Sequence, residues 1–322
     1  MISLVESILS NDFQPDISQR DIIKLIYHRA WENAQSNTNP EAQFDWWIRD
    51  HIAATFDIKN DKLICSPLSG QTRARVSIYN DTKTFLKKYE INKISFESTD
   101  LAALYCYDFA DKRLEVQNVG DLLAQLKNSA NISLTSETEI TIVDSANCEN
   151  LMAQSDSVIY TDIRESSNVE LIAPKVVLQE ASKCKNLNIN CDNLYLVPRW
   201  DLHMKGSKMN INTKYIYGGN IKNNFKLNKK LASVFDKKTF EPILAKIEKT
   251  NLLKTLDFGF VNQINREATF RFEIRLTAAK SIYFEMSQTQ PDSSLGRVFQ
   301  SEDGWYLLRL NDKKPNWWKE LR

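Results

Sequence analysis

Between Ile140 and Tyr217 the sequence repeats itself, and self-similarity at a fixed interval restricts the available folds more than composition does. Set in rows of 18, the chain has apolar first and third positions: Ile140 and Ile142, Val158 and Tyr160, Val176 and Leu178, Leu194 and Leu196. Tyr215 and Tyr217 close the series after a longer row of 21. A second pair recurs within each row, as Leu151 and Ala153, Val169 and Leu171, Leu187 and Ile189. Period-two pairs at a fixed interval describe two short strands per coil, joined by polar corners, in a stacked β-solenoid.

The corners repeat as well. Asn150, Asn168 and Asn186 precede the second pair in successive rows, and Cys148, Ser166 and Cys184 stand two positions earlier. Equivalent residues of stacked coils lie about 4.8 Å apart, so the asparagine amides can hydrogen-bond up the stack. A small residue beside such a ladder lets the corner turn without crowding. A hexapeptide helix has coils of the same length but needs an aliphatic residue at every sixth position, and Arg164 and Glu170 break that pattern. Cys184-Lys-Asn-Leu187-Asn-Ile189 locally resembles the corner of some bacterial leucine-rich repeats, although the rows here are too short and too few for that family.

The flanks have a different texture. Apolar spacing predicts helices over about 21–34, 41–56, 82–89 and 121–127, with Asn39-Pro40 separating the first two; strands are expected at Lys62 to Cys65 and Ala74 to Tyr79. After Gly218-Gly219, residues 227–256 read as one or two helices. Strict alternation at Phe270, Phe272, Ile274 and Leu276, at Ile282, Phe284 and Met286, and the segment Trp305 to Leu310 read as antiparallel strands. The expected fold is therefore α+β and multi-unit. A mixed α/β N-terminal unit covers 1–130, a short β-solenoid covers 131–225, and a helical segment with an antiparallel β cap covers 226–322.

Five cysteines without a CxxC pair form neither a disulfide framework nor a zinc site, which fits a reducing compartment. The N-terminal stretch lacks a basic region and carries Glu6, unlike a usual signal peptide. No apolar run approaches the roughly 20 residues of a membrane span. A cytoplasmic protein, or one secreted without a usual signal peptide, is expected. No cofactor motif is present.

The strongest candidate site is the long row, whose extra residues fall around Val197 to Lys205. Insertions in repeat proteins emerge as loops on one face. Arg199, Trp200, Asp201, His203 and Lys205 would offer cations, a stacking surface, a carboxylate and an imidazole, with Trp200 and Leu202 plugging the core as the plainer explanation. Asp144, Asp162 and Glu180 share the fifth row position, and three stacked carboxylates would repel unless a cation lay among them; solvent screening at an exposed turn explains them equally. From Lys205 to Lys254 there are 12 lysines and three acidic residues, a net +9 in a chain whose total is +1. Such a stretch can attract an anionic surface, but without arginine it argues against specific nucleic-acid recognition. Cys65 with His28 or His51 is the one Cys/His pairing that could form a nucleophilic site outside the repeat. The paired tryptophans Trp46-Trp47 and Trp317-Trp318 each read as one core and one exposed residue.

The function expected is that of an interaction protein, possessing a β-solenoid face and the 197–205 loop for a protein or polysaccharide partner. Its Asn/Lys-rich composition suggests a bacterial or phage effector. The alternative is a carbohydrate-active enzyme with Asp201, His203 and Arg199 at the solenoid edge.

Overall fold

Short segments of strict inward–outward alternation can bury their apolar half only against a second sheet, and this chain builds that pair of sheets from its own successive coils. The computed structural model describes residues 34–40, 42–43, 54–59, 62–67, 74–78, 87, 90–197, 203–218, 261–265, 267–275, 281–295, 297–301 and 304–309. The chain divides into two compact units, Met1–Ala173 and Pro174–Arg322. Both contain β-solenoid coils with parallel sheets.

In the first unit one sheet runs β1 (Ala54–Lys59), β2 (Lys62–Pro67), β4 (Lys93–Thr99), β6 (Arg113–Asn118), β8 (Ala130–Ser136), β10 (Glu149–Ser155), β12 (Ser167–Ile172). The other runs β3 (Ala74–Ile78), β5 (Leu101–Tyr107), β7 (Leu122–Lys127), β9 (Glu139–Ala146), β11 (Val158–Arg164). Among the described strands of this unit only β1 and β2 pair antiparallel; each later strand pairs parallel with the equivalent strand of the next coil. Inward residues stack in register, as in the buried column Ile94, Leu114, Ile132, Leu151 and Val169.

Solenoid strands therefore begin well before Ile140, and the structure does not support an N-terminal α/β unit. Residues 121–127, expected as helix, contain strand β7, because Leu122, Ala124 and Leu126 alternate inward and sheet packing overrides the helix preference of Leu, Ala, Gln and Lys. The strand expectations at Lys62 and Ala74 match β2 and β3, and Ala54 begins β1 where the end of a helix was expected. Among the described residues helix is confined to fragments. One starts at Asn39-Pro40, where Asn39 Oδ1 accepts the Ala42 N–H at 3.3 Å and Pro40 needs no hydrogen-bond partner for its nitrogen.

The fixed frame also slips at two places. Ile140 pairs with Ile159, not Val158, a step of 19 along the chain, and an extra residue in β9 between Ile142 and Ser145, opposite Thr161 and Ile163, returns the step to 18. A one-residue shift exchanges the faces, so Ile159, Thr161 and Ile163 are buried while Tyr160 points outward.

In three successive coils the corner between an odd and the following even strand, β7–β8, β9–β10 and β11–β12, holds two left-handed residues flanking a small buried one. Asn128, Asn147 and Glu165 have φ of 50, 54 and 53°; Asn131, Asn150 and Asn168 have 58, 54 and 52°. Asparagine tolerates this region better than most residues. The small residues Ser129, Cys148 and Ser166 are buried between them, and Ser166 Oγ accepts the Cys148 N–H at 3.0 Å. Of the asparagine ladder anticipated from the repeat, the Asn150–Asn168 rung is present, with Asn168 Nδ2 donating to Asn150 Oδ1 at 3.2 Å, and it continues backward to Asn131, whose Oδ1 accepts from Asn150 Nδ2 at 3.1 Å. A second ladder runs from Asn147 to Asn128 (3.0 Å) and from Asn128 to Asp108 (2.9 Å). At the opposite corner the buried Asn118 closes the turn by accepting the Leu101 N–H at 2.6 Å and donating to the Leu101 and Gly120 carbonyls.

In the second unit one sheet runs β14 (Lys185–Asn190), β16 (Met209–Asn212), β18 (Val261–Ile264). The other runs β13 (Lys175–Ser182), β15 (Asn193–Leu196), β17 (Tyr215–Gly218), β19 (Thr269–Arg275), β20 (Ser281–Ser287), β22 (Gly304–Arg309), β21 (Arg297–Ser301). Pairing is parallel up to β19 and antiparallel from β19 to β21. The antiparallel strands expected at this end are present. The helices expected at 227–256 lie outside the described residues, so the helical part of the cap is not supported. Leu194 pairs with Ile216, which buries Ile216 in the interior and turns Tyr215 and Tyr217 outward, the reverse of the expected frame. Leu187 and Ile189 are buried as expected.

Candidate functional site

The long row returns to register through a defined corner. Arg199, Trp200 and Asp201 lie outside the described residues. His203 is half-buried and Met204 fully buried, so a methionine on the far side of the insertion fills core space. The exposed Lys205 presents its carbonyl to the Lys183 N–H at 2.9 Å. Gly206 then takes φ +74°, and the buried Ser207 accepts the Cys184 N–H at 2.9 Å while donating to the Ala181 carbonyl. Ser207 thus does for Cys184 what Ser166 does for Cys148. Of the residues expected at the insertion, His203 and Lys205 are placed at this corner.

Asp144 and Asp162, expected in an acidic column, belong to an ion-pair network on the outward face of β5, β7, β9 and β11. Asp144 has φ of 41° and receives three donors: Lys127 Nζ at 2.7 Å, Arg164 Nη2 at 2.5 Å and Gln125 Nε2 at 3.1 Å. The Lys127 hydrogen bond, then the charges of Lys127 and Arg164, hold its carboxyl below the usual aspartate range. Arg164 Nε lies 3.9 Å from Asp162 Oδ1. Repulsion between carboxylates is thus answered by the protein's own cations. Glu180, in the second unit, accepts a hydrogen bond from Ser182 Oγ at 2.9 Å. Among the described residues no cluster of His, Cys, Asp and Glu is arranged to hold a metal ion.

The thiols have structural surroundings. Cys148 and Cys184 fill corners, while burial pushes Cys106 up to about 12 and Cys191 up to about 11, far from a nucleophile's range. The side chain of Cys65, together with His28 and His51, lies outside the described residues. Of the basic stretch, Lys214 pairs with Asp192 at 2.7 Å, and that hydrogen bond raises its pKa.

Sequence reasoning missed what surrounds Asp144. Tyr105, Tyr107, Leu123, Gln125, Thr141 and Tyr160 are partly exposed on the same outward sheet face. Tyr107 Oη donates to Gln125 Oε1 at 2.5 Å, extending the Asp144 network across four strands. The signal was the outward half of the alternation, where tyrosines and arginine stand among shorter polar residues.

The second unit places aromatics on the outward side of β15 and β17. The Tyr195 and Tyr217 rings stack with centroids 4.4 Å apart, and both residues are buried. Arg271 stands 4.4 Å over the Tyr215 ring, donates to Tyr217 Oη at 3.0 Å and pairs with Glu285 at 2.9 Å. Desolvation opposes its charge, but Glu285 and Tyr217 outweigh this and raise its pKa. This cluster is consumed by internal contacts. The chain matches no protein-family model, no curated protein and no solved structure.

Proposed function

We propose that the protein binds a protein partner through the outward face of β5, β7, β9 and β11, with the 197–205 loop as a second contact region. The observation that carries this reading is the combination of Tyr105, Tyr107, Tyr160 and Leu123 with Arg164 and Lys127 on one sheet face. Tyrosine and arginine dominate binding energy at protein interfaces. Here Arg164, Lys127 and Gln125 are already held by Asp144, so little side-chain entropy remains to be lost on association. The test is affinity capture followed by quantitative mass spectrometry. Wild type is compared with Tyr107→Ala/Tyr160→Ala/Arg164→Glu and, separately, with Trp200→Ala/His203→Ala. Loss of a specific partner in the first variant supports the face, and loss in the second supports the loop. An identical captured set in all three overturns the reading.

A further inference from the structure

The outward side of β14, β16 and β18 in the second unit carries amides in place of the mixed charges found elsewhere. Asn188 and Asn190 on β14 stand in register with Asn210 and Asn212 on β16, and Asn210 with Gln263 on β18. Asn188, Asn190, Asn212 and Gln263 are exposed and Asn210 is half-exposed. Asn210 Nδ2 donates to Asn188 Oδ1 at 2.8 Å and Asn212 Nδ2 to Asn190 Oδ1 at 3.0 Å, so two ladders fix the orientation of four amides. Among the described residues no charged side chain shares these outward positions; Lys185 opens β14 and Lys208 immediately precedes β16.

An amide offers two N–H donors and two lone pairs. Each ladder bond uses one donor of one asparagine and one lone pair of the next, leaving both donors and acceptors on every amide. The result is a flat array with a spacing of about 4.8 Å across strands and about 6.7 Å along them. A ligand matching it is extended and repetitive, and carries groups that both donate and accept. Hydroxyls satisfy that requirement. Phosphate polymers require cations for affinity, and these amides supply none. Protein interfaces draw on outward aromatics and arginine, and the described residues of this face include neither. Individually weak contacts at fixed spacing gain through multivalency when the ligand repeats too. We infer that this amide face binds a neutral, unbranched polysaccharide through its hydroxyls. The inference rests on different residues from those of the tyrosine face.

The test is native affinity electrophoresis of the full chain in gels containing hydroxyethyl cellulose, pullulan or a linear mixed-linkage β-glucan, with heparin as the polyanion control. Wild type should be retarded by at least one neutral polymer. Asn188→Ala/Asn190→Ala/Asn210→Ala/Asn212→Ala should lose that retardation at least tenfold. Should this variant not fold, Asn190→Asp/Asn212→Lys keeps a cross-strand attraction while replacing neutral amides by charges, and it should lose retardation equally. The Tyr107→Ala/Tyr160→Ala/Arg164→Glu variant should migrate like wild type, which separates failure here from failure of the tyrosine face. The inference is overturned if wild type runs unretarded in every neutral gel, or if only heparin retards it. Retardation that survives in a folded amide variant overturns it as well. So does concentration-dependent self-association that disappears with the amides, since a second copy would then be the occupant.

Discussion

Thr161 occupies an inward position of β11 between aliphatic neighbours, fully buried, and its Oγ1 has no hydrogen-bond partner. A buried hydroxyl without a partner costs about 1–3 kcal/mol, while the β-branched shape suits a strand. Thr161→Val keeps the shape and removes the polar atom, so urea denaturation should show a gain of about 1 kcal/mol; a lower midpoint would mean that the hydroxyl contributes to stability. Asp144 presents the opposite case, a surface carboxylate with a surplus of donors. Its pKa is depressed in the folded protein, so its contribution is fully present above the unfolded aspartate pKa of about 3.9 and is lost as pH falls through the lower folded value. Asp144→Asn should therefore melt below wild type near neutrality, the gap narrowing on acidification through that window. Added salt should shrink the difference too, because the network is solvent-exposed. A gap independent of pH would assign the effect to hydrogen bonding that does not depend on the carboxylate charge, instead of to the ion pairs.

Corner and strand together make the element that repeats, and here the physical logic was partly legible. Leu151 with Ala153, and Val169 with Leu171, reveal an inward face because alternation records burial directly. Asn150 and Asn168 reveal a corner because few residues accept a positive φ while offering an amide to the next coil. The face of β11 is hidden from a fixed frame because the step from Ile140 to Ile159 is 19, and the irregularity that restores a step of 18, from Ser145 to Ile163, leaves no mark on residue type. Tyr215 and Tyr217 are hidden for a related reason: Tyr215 pairs with Asn193, not with Leu194, because the insertion is longer than the frame allows. Two contributions at Asn150 can be separated by substitution. Asn150→Gly retains access to φ 54° and loses the ladder bonds, whereas Asn150→Ala loses both. A left-handed residue with a Cβ costs about 1–2 kcal/mol. The alanine variant should therefore be less stable than the glycine variant by about 1 kcal/mol in guanidinium denaturation. Equal losses would mean that the ladder alone matters.

At the scale of the whole chain, what the fold maintains is register between neighbouring coils, not a constant coil length. Ile94 pairs with Leu114, a step of 20 along the chain, Leu114 with Ile132, a step of 18, and Ile132 with Leu151, a step of 19. Near the start Lys62 pairs with Lys93, a step of 31, and near the end Tyr215 pairs with Thr269, a step of 54. A corner can absorb an insertion without disturbing the strands it joins, which is why constant spacing reveals the middle of the repeat and loses both ends. The candidate site was less legible still. A binding face is written in the outward half of the alternation, where solvent accepts many residue types and no spacing rule selects one. The same nearest-neighbour construction governs how damage spreads. Leu151 is buried and stacks on Ile132 and Val169, so Leu151→Ala should cost about 2–5 kcal/mol. In a solenoid each coil touches only its neighbours, so the loss should be local first. Hydrogen exchange should accelerate most in β8, β10 and β12 and least in β4, three positions from β10 in the same sheet. Uniform acceleration from β4 to β12 would instead make the first unit a single cooperative block, with coupling that reaches beyond adjacent coils.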